Sequence, residues 1–222
     1  MKKIIQTLKQ NNRLKIVTML IFASTLSVAL VCYRIQQTKN LVFIFLIWNL
    51  ILATIPYVIG LYLYAKRNQQ GSILQWSILF FIWLIFLPNA PYILTDLIHL
   101  KVRGNFPLIL DLIMLLFYAW VGLMMCLYSI KDIQQIILIK YGKKWSTVFT
   151  YIIPFVCAFG VYVGRFLRYD SWQLISNFDT VMVDILKHIV FPQEHINAIA
   201  FTLLLGTFIL FAFKSIDLKR LD

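Results

Sequence analysis

Six apolar runs restrict this chain more than any other feature, because each approaches the roughly 20 residues a helix needs to cross about 30 Å of hydrocarbon. They lie at about residues 15–33, 41–65, 73–87, 107–130, 146–164 and 196–213, separated by short polar or basic connections. With 61% hydrophobic and only 14% charged residues over 222 positions, and a mean hydropathy of +0.80, the chain is outside the range of soluble domains. The expected fold is all-α: a polytopic membrane helical bundle, a single integral membrane domain over residues 1–222 whose partner is the lipid bilayer.

The first run does not read as a cleaved signal. No small-x-small site follows it, and Val31 before Cys32 does not fit a lipoprotein cut. A net charge of +12 would point to nucleic acid in a soluble protein, but here the Lys and Arg residues concentrate in alternate connections. Fourteen of the 21 lie at the N-terminus up to Lys15, after the second run, after the fourth and after the last, and seven lie elsewhere. The positive-inside rule then places both termini in the cytoplasm, with the connections after runs one, three and five outside. No nucleic-acid partner is expected.

Within the connection between runs five and six, Phe178, Val181, Met182, Ile185, Leu186 and Ile189 share one helical face, with Asp179, Asp184, Lys187 and His188 opposite. An amphipathic helix over about residues 178–190 is expected, capped near Asn177, lying in the outer interface and keeping Asp184 and His188 solvated. Cys32, Cys126 and Cys157 have no metal-type spacing and read as small apolar residues. With three histidines in the whole chain, a multi-histidine metal site is not expected, and no cofactor is indicated.

The third run is the shortest, and it stops at Leu87-Pro-Asn-Ala-Pro-Tyr-Ile-Leu-Thr-Asp-Leu-Ile-His-Leu100. Two prolines break the helical ladder there, and polar side chains so close to hydrocarbon need a reason. Either this segment completes the crossing after a kink, or it folds back at the surface. Asn89 is placed to cap a short helix with Pro91 in its first turn, on which Asp96 and His99 share a face. Such a pair suits two metal ligands, or an acid and a base acting on one substrate, and the plain alternative is a structural carboxylate–imidazole contact at a helix end.

Asp111 falls one turn into the fourth run, behind an Asn105-Phe-Pro107 start, and should face the bundle interior toward a cation or donor. Arg165 and Arg168, three apart after the fifth run, can fork onto a phosphate or carboxylate, neutralise Asp96 and Asp111, or reach lipid phosphates. Asn49, next to Trp48 in a helix that Pro56 should kink, can join the same polar layer. Gly160 and Gly164 share a face that permits close packing, while Asp170 with Gln173 reads as a helix cap and Trp172 as an interfacial anchor.

The long motif from Leu87 to His99, with Trp48-Asn-Leu upstream and Gly164-Arg-Phe-Leu-Arg-Tyr-Asp-Ser-Trp172 downstream, resembles the bacterial integral membrane family known as domain of unknown function 1361. The resemblance extends from about the second run to the last. It implies that Asn89, Pro91, Tyr92, Thr95, Asp96, His99, Arg165 and Arg168 are family motif positions, and it supplies no activity.

Two functions are therefore expected to compete. In the first, an outward-facing site acts on a lipid headgroup or lipid-linked phosphate of the envelope, with Asp96, His99 and Asp111 as catalytic groups and Asn89, Tyr92, Thr95, Arg165 and Arg168 binding substrate. In the second, the protein is a non-catalytic small transporter or accessory membrane subunit, and the same residues form an ion-pair network that holds helices together.

Overall fold

A computed structural model describes residues 13–68, 72–102, 106–169, 178–190 and 192–217. Among them every regular element is helical: α1 (Arg13–Thr38), α2 (Phe45–Ala65), α3 (Ile73–Phe86), a single turn α4 (Asn89–Tyr92) running into a 3-10 helix (Ile93–His99), α5 (Leu108–Tyr141), α6 (Lys143–Arg165), α7 (Phe178–Val190), a 3-10 turn (Pro192–His195) and α8 (Ile196–Asp217). Six segments are long and apolar enough to cross a membrane, α3 through His99 counting as one of them. The chain is a multi-pass integral protein of the cell membrane.

Central α5 touches α1, α2, the 3-10 helix, α6 and α8, whereas α8 packs mainly along α6. This helix runs well past its expected end near Ile130, reaching Tyr141. Lys131, Asp132, Gln134 and Gln135 end the apolar run, but Ile130, Ile133 and Ile136 keep one face buried, so the helix outlasts its hydrophobicity. Gly142, at φ +85, then reverses the chain between α5 and α6, a backbone state most other residues adopt only under strain.

One hydroxyl ties three helices. Ser129 on α5 donates to the carbonyl of Pro56 on α2 at 2.8 Å and accepts from the Trp83 indole on α3 at 2.6 Å. Gly60, one turn beyond the proline, leaves room for it: a Cβ there would stand 3.0 Å from the Ser129 oxygen.

The third apolar segment continues as helix through the break, and Ile73–His99 together are long and apolar enough to cross a membrane. Pro88 and Pro91 lack N–H groups, so the ladder is re-routed: the Ala90 N–H turns to Leu87 O at 3.2 Å, and the Asn89 amide donates to Phe86 O at 3.0 Å. Asn89 therefore repairs the break instead of capping a helix, since Pro88 holds the capping position. Two glycine faces make space for this irregular stretch. A side chain at Gly122 would run into the Ala90 carbonyl, and one at Gly160 into the Pro88 ring, while Gly164 faces Tyr92. The close approach expected of Gly160 and Gly164 is thus made to the broken span.

Candidate functional site

Among the described residues, the buried carboxylates of the spans form arginine–carboxylate pairs. Asp96, on the 3-10 helix, is 1% exposed. One of its oxygens meets the Arg165 guanidinium of α6 in a short contact, and the other accepts from the Asn49 amide of α2 at 2.8 Å. Arg165 also donates from Nε to the Thr95 hydroxyl at 2.8 Å and stacks over the Tyr92 ring, 4.2 Å from its centroid. Thr95 in turn donates to Tyr92 O at 2.6 Å. His99 lies 3.4 Å from Arg165 Nη1 and edge-on to Phe45, with centroids 5.1 Å apart.

Three-residue spacing on a 3-10 helix brings Asp96 and His99 onto one face as expected, since that helix repeats every three residues. The guanidinium, though, fills the space between them and α6. One cluster therefore joins α2, the broken third span and α6 through Asn49, Asp96 and Arg165.

Asp111 does not join it. Only 2% exposed, it takes a forked pair from Arg34 at the end of α1, with Nε to Oδ1 at 2.9 Å and Nη2 to Oδ2 at 3.3 Å. Arg34 lies beneath the Phe43 ring, 4.5 Å from its centroid, and reaches Thr38 Oγ1 at 3.3 Å. Fixed this way, a planar guanidinium uses most of its donors inside the protein.

A third pair, at the opposite end of the bundle, has no signal in the sequence. Arg13, at the start of α1, meets Asp132 on α5, a fully buried carboxylate. Tyr64 and Tyr128 face the guanidinium, with centroids at 5.1 and 5.9 Å. Arg13 reads only as topology charge in the sequence, and Asp132 lies beyond the expected end of its span.

The expected outward-facing site for a lipid headgroup or lipid-linked phosphate is overturned by this geometry. Asp96 and Asp111 are closed off from solvent and committed to separate arginines, and Arg165 directs its fork at Thr95 and Asp96. Arg168 stands apart, exposed and with a left-handed backbone at φ 61. Among the described residues, no three His, Cys, Asp or Glu side chains converge as a metal-binding group. Cys32, Cys126 and Cys157 are free thiols. Near Arg168, the Tyr169 hydroxyl donates to Asp184 of α7 at 2.7 Å, and that bond to a carboxylate pushes the phenol pKa up. Asp184 is thus held by a partner rather than wholly solvated. Asn105, Asp170, Trp172, Gln173, Asn177 and the side chain of His188 lie outside the described residues.

Against known families, residues 48–212 match the one described as Protein of unknown function (DUF1361). The chain belongs to this family. No curated protein and no solved structure matches it. The DUF1361 match takes in Asp96, Asp111, Asp132 and Arg165, whereas Arg13 and Arg34, the partners that α1 supplies, precede it.

Proposed function

We propose that this DUF1361 protein is a non-catalytic membrane protein, an accessory subunit whose six-helix scaffold is clamped by buried ion pairs. The observation that carries this reading is that the three buried carboxylates among the described residues are each paired with an arginine on another element. Buried pairs of this kind contribute little net stability, but they penalise every arrangement that separates them, and so select one packing. Asp96, Thr95 and Arg165, with Asn49, then serve as a fastener of the broken span.

The charge bias along the sequence supports cytoplasmic termini, which puts the Asp96 and Arg34 pairs in the outer half and Arg13–Asp132 in the inner half. The apolar face of α7 suits a helix lying in the outer interface, and the basic ends of the spans suit anionic headgroups.

A small transporter is the second reading, favoured by one observation. The break of the third span borders a cavity of about 510 Å³, lined in part by Asn49, Asn89, Tyr92 and Tyr169. Transporters use broken helices in this way to bring polar groups to mid-membrane. In that reading Asn89 and Tyr92 contact the solute directly, and Thr95 and Arg165 hold the break in shape.

Complementation of a deletion strain decides between a clamp and working chemistry. Arg165→Ala alone is expected to lower protein levels and fail. The apolar pair Asp96→Leu with Arg165→Met is expected to restore both folding and growth phenotype. A double variant that folds normally yet fails to complement overturns the clamp.

A further inference from the structure

The first half of the third span stands off from much of the bundle. Of α3 only Trp83 is buried, and the close packing of this helix is against α2. Between α3, α5 and α6 a groove of about 860 Å³ is left, walled by Trp76, Phe80, Ile137, Phe149 and Ile152. Its location is the basic end of the bundle, where α5 closes and α6 begins. Lys140 sits at its rim with the ammonium 3.8 Å from the Trp76 ring centroid, and exposed Lys143 and Lys144 follow at once on α6. Among the described residues no carboxylate lines it.

A concavity of this size in hydrocarbon does not stay empty, because unfilled walls forfeit their dispersion contacts. The volume also limits what can fill it. A helix about 10 Å across would occupy 860 Å³ with about two turns, far short of a span. Flexible alkyl chains can follow an irregular wall, and the volume falls within the range of about 300–1,000 Å³ for small-molecule sites. The rim selects the headgroup: a lysine stacked on an indole keeps N–H donors directed away from the ring, and exposed Lys143 and Lys144 follow within four residues of it along the chain. We propose that this groove is a binding site for an anionic phospholipid, its acyl chains against Trp76, Phe80 and Phe149 and its phosphate held by Lys140, Lys143 and Lys144. The site is independent of the buried ion pairs.

The test uses the full chain purified in mild detergent, with phosphatidylglycerol and phosphatidylcholine of identical acyl chains as probes, read by native mass spectrometry and thermal unfolding. Phosphatidylglycerol is expected to be retained and to raise Tm, and phosphatidylcholine to do neither. Each Lys→Ala change at the rim should weaken phosphatidylglycerol binding about fivefold, and all three together about a hundredfold. Ser77→Trp, which puts an indole into the groove, should abolish binding while leaving Tm in lipid-free detergent unchanged or higher. Equal binding of the two lipids, or undiminished binding by the triple lysine variant or by Ser77→Trp, overturns the site. The Asp96→Leu, Arg165→Met protein should bind like the wild type, which separates failure here from failure of the clamp.

Discussion

At the residue scale, the forked contact between Arg34 and Asp111 is the most exposed to simple mutation. Removing one partner leaves the other charge buried without compensation, a loss of about 3–5 kcal/mol. Arg34→Met or Asp111→Leu alone should therefore lower Tm sharply in detergent. The two together should recover most of the loss, because an apolar pair of similar volume needs no desolvation to be paired. A double variant no more stable than the worse single variant would count against the pair as the relevant interaction. Asp111 itself is legible in the sequence, since a carboxylate one turn inside an apolar run needs an internal cation. Its partner is not, because Arg34 follows the first apolar run and reads as a connection charge. Asn89 stands out in the sequence as a cap and acts instead as a repair of the break. Both roles require the same amide, and only the backbone path distinguishes them. For Arg165 the charge partner Asp96 is among the alternatives the sequence leaves open, while the contact with Thr95 depends on the backbone path through the break.

At the scale of elements, α1 and α5 form an antiparallel pair fastened at both ends. Arg13 and Arg34 lie 21 residues apart, as do Asp111 and Asp132, and that separation corresponds to about 31 Å along a helix. The two pairs thus stand about one hydrocarbon thickness apart. Twenty-one residues is also three heptads, so both pairs stay on the shared seam of two helices packed at a shallow angle. A one-turn slip of α1 would break both at once. Exchanging charges across one end, Arg13→Asp with Asp132→Arg, should restore much of what Arg13→Asp alone removes, as read by thermal unfolding. If the exchange recovers nothing, the inner pair is not what fixes the register. The broken third span offers a second check on this scale. Because Gly122 lies against the Ala90 carbonyl, Gly122→Val must push α5 from the break and should destabilise by about 1–3 kcal/mol. The same change at Gly142 meets no neighbour and acts only through its backbone strain.

For the whole molecule, the six-span count and the membrane assignment are legible because periodic length and hydropathy are properties of the run. What charge each end faces is a property of the cell, and has to be tested there. The helices place Arg13, Lys66, Arg67, Lys143 and Lys144 at one end of the bundle and Lys39, Lys101 and Arg165 at the other, since successive spans alternate in direction. The basic end is the one the positive-inside rule assigns to the cytoplasm. Single cysteines introduced in a Cys32→Ala background separate the two orientations, because Cys126 and Cys157 are buried. Lys39→Cys and Lys101→Cys should react with a membrane-impermeant maleimide in intact cells. Lys66→Cys and Lys143→Cys should react only after permeabilisation. The reverse pattern would invert the protein and place the Asp96–Arg165 fastener on the inner side, while leaving every intramolecular pair intact. The orientation and the clamp therefore stand or fall separately, because the first depends on charge counted over connections and the second on charge buried between helices.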